Sequence, residues 1–157
     1  MPDELFLISP VNDNFRRDVE VDDEDIVDPN EADALIQGEW LSLDAVSGKY
    51  TRHVDETKRG AHQVFTPKGD MGAQAIKKVA VIQLHEYEAE TIVFDDGFAG
   101  AVGDPLTVGD IVLGGVAGTY CGLKAAAVGN IVYGVVTKLP ADNNGKLRFM
   151  KSTQGVL

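Results

Sequence analysis

A single cysteine, Cys121, stands among the 157 residues, which excludes an intrachain disulfide framework and a thiolate-rich zinc site. Its neighbours Tyr120 and Gly122 belong to a Gly/Ala/Val-rich stretch that offers no electropositive setting to activate a thiol, so a buried small side chain is expected there. No stretch approaches the roughly 18 consecutive apolar residues of a membrane span. The opening Met1-Pro2-Asp3-Glu4 lacks the positive start of a secretory leader, and Leu5-Phe6-Leu7-Ile8 is too short for its apolar core. These features predict a chain made and kept, at least initially, in a cytoplasm, with no membrane partner.

Catalytic signatures are missing as well. No Gly-Lys-Ser/Thr occurs, and Gly97, Gly100 and Gly103 precede a proline and strands rather than a helix that would present its N-terminus to phosphate. Ser9, Ser42, Ser47 and Ser152 lie in no Gly-x-Ser-x-Gly elbow. His53, His62 and His85 show no metal-ligand spacing, and surface positions that merely tune charge are expected for them. The acidic run Asp22-Asp23-Glu24-Asp25 has neither the glycine nor the twelfth-position glutamate of a calcium loop. Asp142-Asn143-Asn144-Gly145 fails in the same way, since its twelfth position is Thr153, and reads as a hairpin turn. No enzyme, cofactor or metal is expected.

Positive charge is scarce at the start of the chain. Residues 1–33 hold twelve of the 25 acids but only two of the 14 basic residues, Arg16 and Arg17. The rest of the chain is almost balanced, so nearly all of the net charge of −11 sits in that first segment. Such a protein is repelled by phosphate backbones, which argues against nucleic acid as a partner.

What is present divides into an acidic arm with a short link, residues 1–37, and a body, residues 38–157. The arm carries ten apolar residues, Leu5, Phe6, Leu7, Ile8, Val11, Phe15, Val19, Val21, Ile26 and Val27, more than a disordered acidic tail normally holds. Ordering it costs more backbone entropy than those side chains return. Extensive backbone pairing or a partner must make up the difference. An extended arm docked on a neighbouring, preferably basic, surface is the expectation, with Leu5, Phe6, Leu7, Ile8, Phe15, Arg16, Arg17, Val19 and Val21 as contact residues. Over Asn30 to Gly38, an N-cap asparagine and a terminal glycine predict one or two helical turns. Residues 71–76 offer one further helical turn.

The body reads as mainly β. Glu39-Trp40-Leu41-Ser42-Leu43, the turn Ser47-Gly48 and Lys49-Tyr50-Thr51-Arg52 form a hairpin, and Gln63-Val64-Phe65 a short strand. Val79-Ala80-Val81-Ile82-Gln83-Leu84 has the continuous apolarity of a strand buried on both faces. Glu90 to Phe94 alternates. Gly103-Asp104-Pro105, Gly109-Asp110, Gly114-Gly115, Gly118, Gly129-Asn130 and Asn143-Asn144-Gly145 then punctuate strands at Leu106–Val108, Ile111–Leu113, Ile131–Thr137 and Leu147–Met150. Many short strands with Gly/Pro punctuation predict a compact β-barrel or β-sandwich. Phe98, a ring between glycines with little local core to enter, is a further interface candidate.

These residues bear a resemblance to one family. Gly38-Glu39-Trp40-Leu41-Ser42-Leu43 followed by Ser47-Gly48-Lys49 resembles the opening hairpin of the capsid decoration (cement) proteins of tailed bacteriophages. Val64-Phe65-Thr66 near Gly69-Asp70, the buried strand, Glu90 to Asp95, Val102 to Val108, and Gly129 with Gly134-Val135-Val136-Thr137-Lys138 follow in similar order. The likeness spans residues 38–151 and leaves 1–37 uncovered. It implies a structural protein that binds the outer surface of an assembled capsid at capsomer seams as a dimer or trimer and stabilises the shell against DNA pressure. The major capsid protein is then the partner and the capsid exterior of the virion the location. A tail-tube or head-completion protein is the structural alternative. A small hydrolase using His85 or His62 with a carboxylate is the enzymatic one.

Overall fold

The computed structural model describes residues 5–9, 15–22, 34–53, 55–66, 78–113 and 120–157. The acidic run at 23–25, the start of the link at 30–33, residues 71–76 and the turns at 114–115 and 118 lie outside the described residues.

Eleven strands are present among the described residues: β1 (Leu5–Ser9), β2 (Arg16–Glu20), β3 (Trp40–Leu43), β4 (Tyr50–Arg52), β5 (His62–Thr66), β6 (Lys78–Ile82), β7 (Tyr87–Thr91), β8 (Pro105–Ile111), β9 (Tyr120–Ala125), β10 (Ile131–Lys138) and β11 (Leu147–Val156). They form two antiparallel sheets, a six-stranded one of order β1-β7-β11-β10-β8-β9 and a five-stranded one of order β2-β6-β5-β3-β4. Neither sheet closes into a barrel, and the fold is a sandwich-like, mainly β body.

The alternation of side chains explains the cores. In β6, four consecutive residues are buried. Val79 and Val81 pack with Val19, Val21, Leu35, Leu41 and Val64 on one side of the five-stranded sheet. Ile82 joins Trp40, Tyr87, Leu106, Leu123, Tyr133 and Phe149 in the larger core. A strand covered on both faces has no place for polar side chains, and the continuous apolar run marked this one correctly.

The start of the chain corrects an expectation. β1 pairs with β7 (Leu5 with Thr91, Leu7 with Ala89), and β2 pairs with β6 from Arg16–Ile82 to Glu20–Lys78. Residues 1–29 are therefore not held solely by another protein. Ladders satisfy the backbone groups, and Leu5, Leu7, Val19 and Val21 are buried in the chain's own cores. Backbone pairing within one subunit supplies what the apolar side chains alone could not.

Other boundaries shift for local reasons. Residues 34–36 form no helix; the link ends in a turn at 37–38, with Gly38 at φ 95°. A Cβ at Gly38 would lie 3.0 Å from both Thr91 Oγ1 and Val93 Cγ2, so only glycine suits this approach. Leu106–Val108 and Ile111 belong to one continuous strand, β8, not two. Gly109 is paired with Gly122 inside the ladder, and the side chains of Glu56 and Lys124 occupy the space a Cβ would take. β7 begins three residues earlier than the sequence pattern places it. Thr91 Oγ1 accepts a hydrogen bond from Val93 N–H at 3.0 Å where the chain leaves the ladder. β9, in the Gly/Ala/Val-rich stretch, was not legible as a strand. At Asn144 (φ 53°) and Gly145 (φ 79°) the chain makes the expected turn before β11.

Three of the four sheet edges are guarded. Phe94 bridges Leu123 in β9, and Leu123 N–H and C=O bond Val93 and Asp95 at 3.1 and 2.8 Å. Val21 bridges Tyr50, so β2 and β4, opposite edges of the five-stranded sheet, meet at one point. Asp22 N–H donates to Tyr50 C=O at 3.0 Å there, and Lys49 pairs with Glu20 at 3.4 Å.

Candidate functional site

Where β3 and β4 approach β9, a carboxylate is fully enclosed. Glu39 has no exposed surface, and its Oε1 accepts from Arg52 Nε at 2.9 Å and from Cys121 N–H at 3.3 Å. Its Oε2 accepts from Ile36 N–H at 2.7 Å. Burial pushes the Glu39 carboxyl above its usual range; Arg52 and these hydrogen bonds pull against it without cancelling the effect. The Arg52 guanidinium also lies 5.9 Å from the centre of the Tyr120 ring. One carboxylate thus ties the link, the β3–β4 hairpin and β9 together.

Cys121 sits in this cluster as the sequence suggested, fully buried. Its thiol donates to the His53 backbone carbonyl, not to the imidazole. Burial first, and then Glu39 and Asp110, push the thiol well above its ordinary value. That is the opposite of an activated nucleophile.

His53 corrects the expectation of surface histidines. It is 1 % exposed, its ring stands edge-on to Tyr133 at 5.8 Å, and burial lowers its pKa and favours the neutral imidazole. His62 is half-buried beside Tyr50, and its pKa too is lowered mainly by burial; the charged side chains acting on it, Arg17, His85 and Lys151, are all basic. His85 is exposed. The described histidines converge on no common carboxylate, and no group of three metal-ligating side chains occurs among the described residues.

A second polar tie crosses the sandwich. Tyr87 Oη donates to Gln63 Oε1 at 2.9 Å, and Gln63 Nε2 donates to Gly38 C=O at 3.1 Å. Together with the Glu39 cluster it fixes how the sheets sit on each other, because a shifted register would strand buried polar groups.

The outer surface places the expected contact residues unevenly. Leu5, Leu7, Val19 and Val21 are interior; Ile8 is half-buried. Phe15 packs edge-on against Phe65 at 4.8 Å, next to the larger core. Arg16 and Arg17 are exposed, and Arg17 donates to Tyr50 Oη at 2.6 Å. Phe6 is placed in β1 opposite Glu90, with its side chain outside the description. Phe98 is not a free loop ring. It lies against the larger core and folds over Gly100, whose missing Cβ makes the space.

Exposed aliphatics that the sequence reading passed over stand instead at element ends. The β3–β4 hairpin presents Leu43 (57 % exposed) and Val46 (95 %) above a base of fully buried Trp40 and Leu41. Asp44 holds the tip, its side chain accepting from Val46 and Ser47 N–H groups at 3.2 and 3.0 Å. Val128, Val156 and Leu157 form a second exposed group, joined by Gly129 N–H to Leu157 C=O and Leu157 N–H to Asn130 C=O. Val46 beside Ser47-Gly48 was the available signal: an apolar residue in a turn has no strand face to bury it.

Comparison with family models, with curated proteins and with solved structures found no match to this chain.

Proposed function

We propose that this protein is a structural decoration, or cement, protein. It binds the outer surface of an assembled phage capsid at capsomer seams and stiffens the shell against the pressure of packaged DNA. The observation that carries the reading is the β3–β4 hairpin. The residues of this element resemble the decoration family, and it raises Leu43 and Val46 into solvent from a rigid base locked by Glu39 and Arg52. Exposed aliphatics on a preorganised hairpin lose little entropy on docking, which favours a structural contact. The net charge of −11 keeps such a protein off packaged DNA. The partner in this reading is the major capsid protein, and the protein acts on the virion exterior without catalysing a reaction.

The test is to heat purified particles with and without bound protein and record the temperature of DNA release. A higher release temperature for decorated particles supports the reading. Equal temperatures, or rings of the protein stacking on themselves without binding shells, overturn it.

A further inference from the structure

Natural sheets protect their edges with charge, proline, shortness or a covering segment. Here β2 carries charges at four of its five positions, β4 is three residues long, and β9 is lined by Val93 to Asp95. β1 has none of these. Leu5-Phe6-Leu7-Ile8-Ser9 contains no charged residue and no proline, and its backbone pairs with β7 on one side only among the described residues.

We propose that the outer edge of β1 pairs antiparallel with β1 of a second copy, joining two six-stranded sheets across a two-fold axis. An isologous contact needs only one patch that complements itself, and an uncharged apolar edge strand does so. Charge selects the direction. Asp3 and Glu4 precede β1, whereas Pro10, Val11 and Asn12 follow it. Antiparallel pairing sets the acidic flank of one copy beside the neutral flank of the other; parallel pairing would set acid against acid. Each copy still carries a net −11, so the residual repulsion between copies is screened by salt. Added salt therefore strengthens this dimer, whereas it would weaken docking of the acidic chain onto a basic partner.

The inference stands apart from shell binding. Sedimentation equilibrium of the full chain, over a range of protein and salt concentrations, tests it. A monomer–dimer equilibrium that tightens with salt is expected, and Ile8→Lys, which puts a charge on the edge strand, weakens it about tenfold or more. Because Ile8 is half-buried, hydrogen exchange of the unaltered protein gives a second readout: protection of the Leu5–Ser9 amides rises with protein concentration. A monomer throughout, a dimer indifferent to Ile8→Lys in a folded variant, dimerisation weakened by salt, or β1 protection independent of concentration each overturns the proposal. None of these results touches the particle-heating test.

Discussion

The Tyr87 hydroxyl reaches from the six-stranded sheet to Gln63 Oε1 on the five-stranded sheet at 2.9 Å, with both side chains sealed from solvent. A hydrogen bond across the middle of a sandwich couples sheet stability to sheet alignment. Tyr87→Phe removes the donor and leaves the buried Gln63 carbonyl unpaired. We expect a loss of about 1–3 kcal/mol, read as a lower urea midpoint. Gln63→Leu in the same background should recover part of it, since an apolar pair strands no polar atom.

Arg52→Ala leaves the Glu39 carboxylate buried without its counter-charge, a change that costs about 3–5 kcal/mol at neutral pH. Its pH dependence has a definite sign. The folded-state pKa of Glu39 is already raised by burial, and loss of Arg52 raises it further. The folded variant then binds a proton more readily than the unfolded chain. Its deficit against the unaltered protein is smallest in acid, below the usual carboxylate range, and grows as pH rises through the raised value. Denaturant titrations at several pH values check this; a deficit that grows on acidification would contradict it.

Deleting residues 1–22 removes both β1 and β2. Leu5, Leu7, Val19 and Val21 leave the cores, at about 1.5–3 kcal/mol each, a sum comparable to the whole stability of an ordinary domain. The truncated chain should show no cooperative unfolding transition. A folded truncation with an unchanged melting temperature would mean the two strands are dispensable to the body.

Phe98→Ala should lower the melting temperature, by the equivalent of about 1–2 kcal/mol for a partly buried ring. Affinity for shells should hardly change, because the ring rests on the core. The reverse pattern would return Phe98 to the interface.

Val46→Asp tests the hairpin directly. Val46 is 95 % exposed and its side chain supports nothing within the chain, so melting should be unaffected. Binding to shells should weaken about tenfold or more as an unpaired charge enters the contact. Unchanged binding would remove Val46 from the interface.

Much of the architecture was legible because strands and turns leave local marks. The alternation around Trp40–Leu43 and the turn at Ser47-Gly48 gave β3 and β4, and the run from Val79 gave β6. β9 was hidden because Tyr120-Cys121-Gly122-Leu123-Lys124-Ala125 mixes small and large residues; its glycine is required by Ile111 and Val93 across the packing, not by a turn. Gly109 misled for the same reason. The candidate site was less legible still. Glu39 and Cys121 lie far apart in the chain, and nothing near either announces that one accepts a hydrogen bond from the other.

The amino-acid sequence alone determined a mainly β chain, its principal turns and the concentration of negative charge at its start, since these depend on residues close in the chain. Only the tertiary structure decided that the first strands complete the chain's own two sheets. It alone showed that Glu39, Arg52 and Cys121 meet, and that Val46 faces water while Phe98 rests on the core. Strand partners and burial are set by competition among distant segments for the same backbone edges and apolar surface, and that competition is resolved only when the whole chain packs.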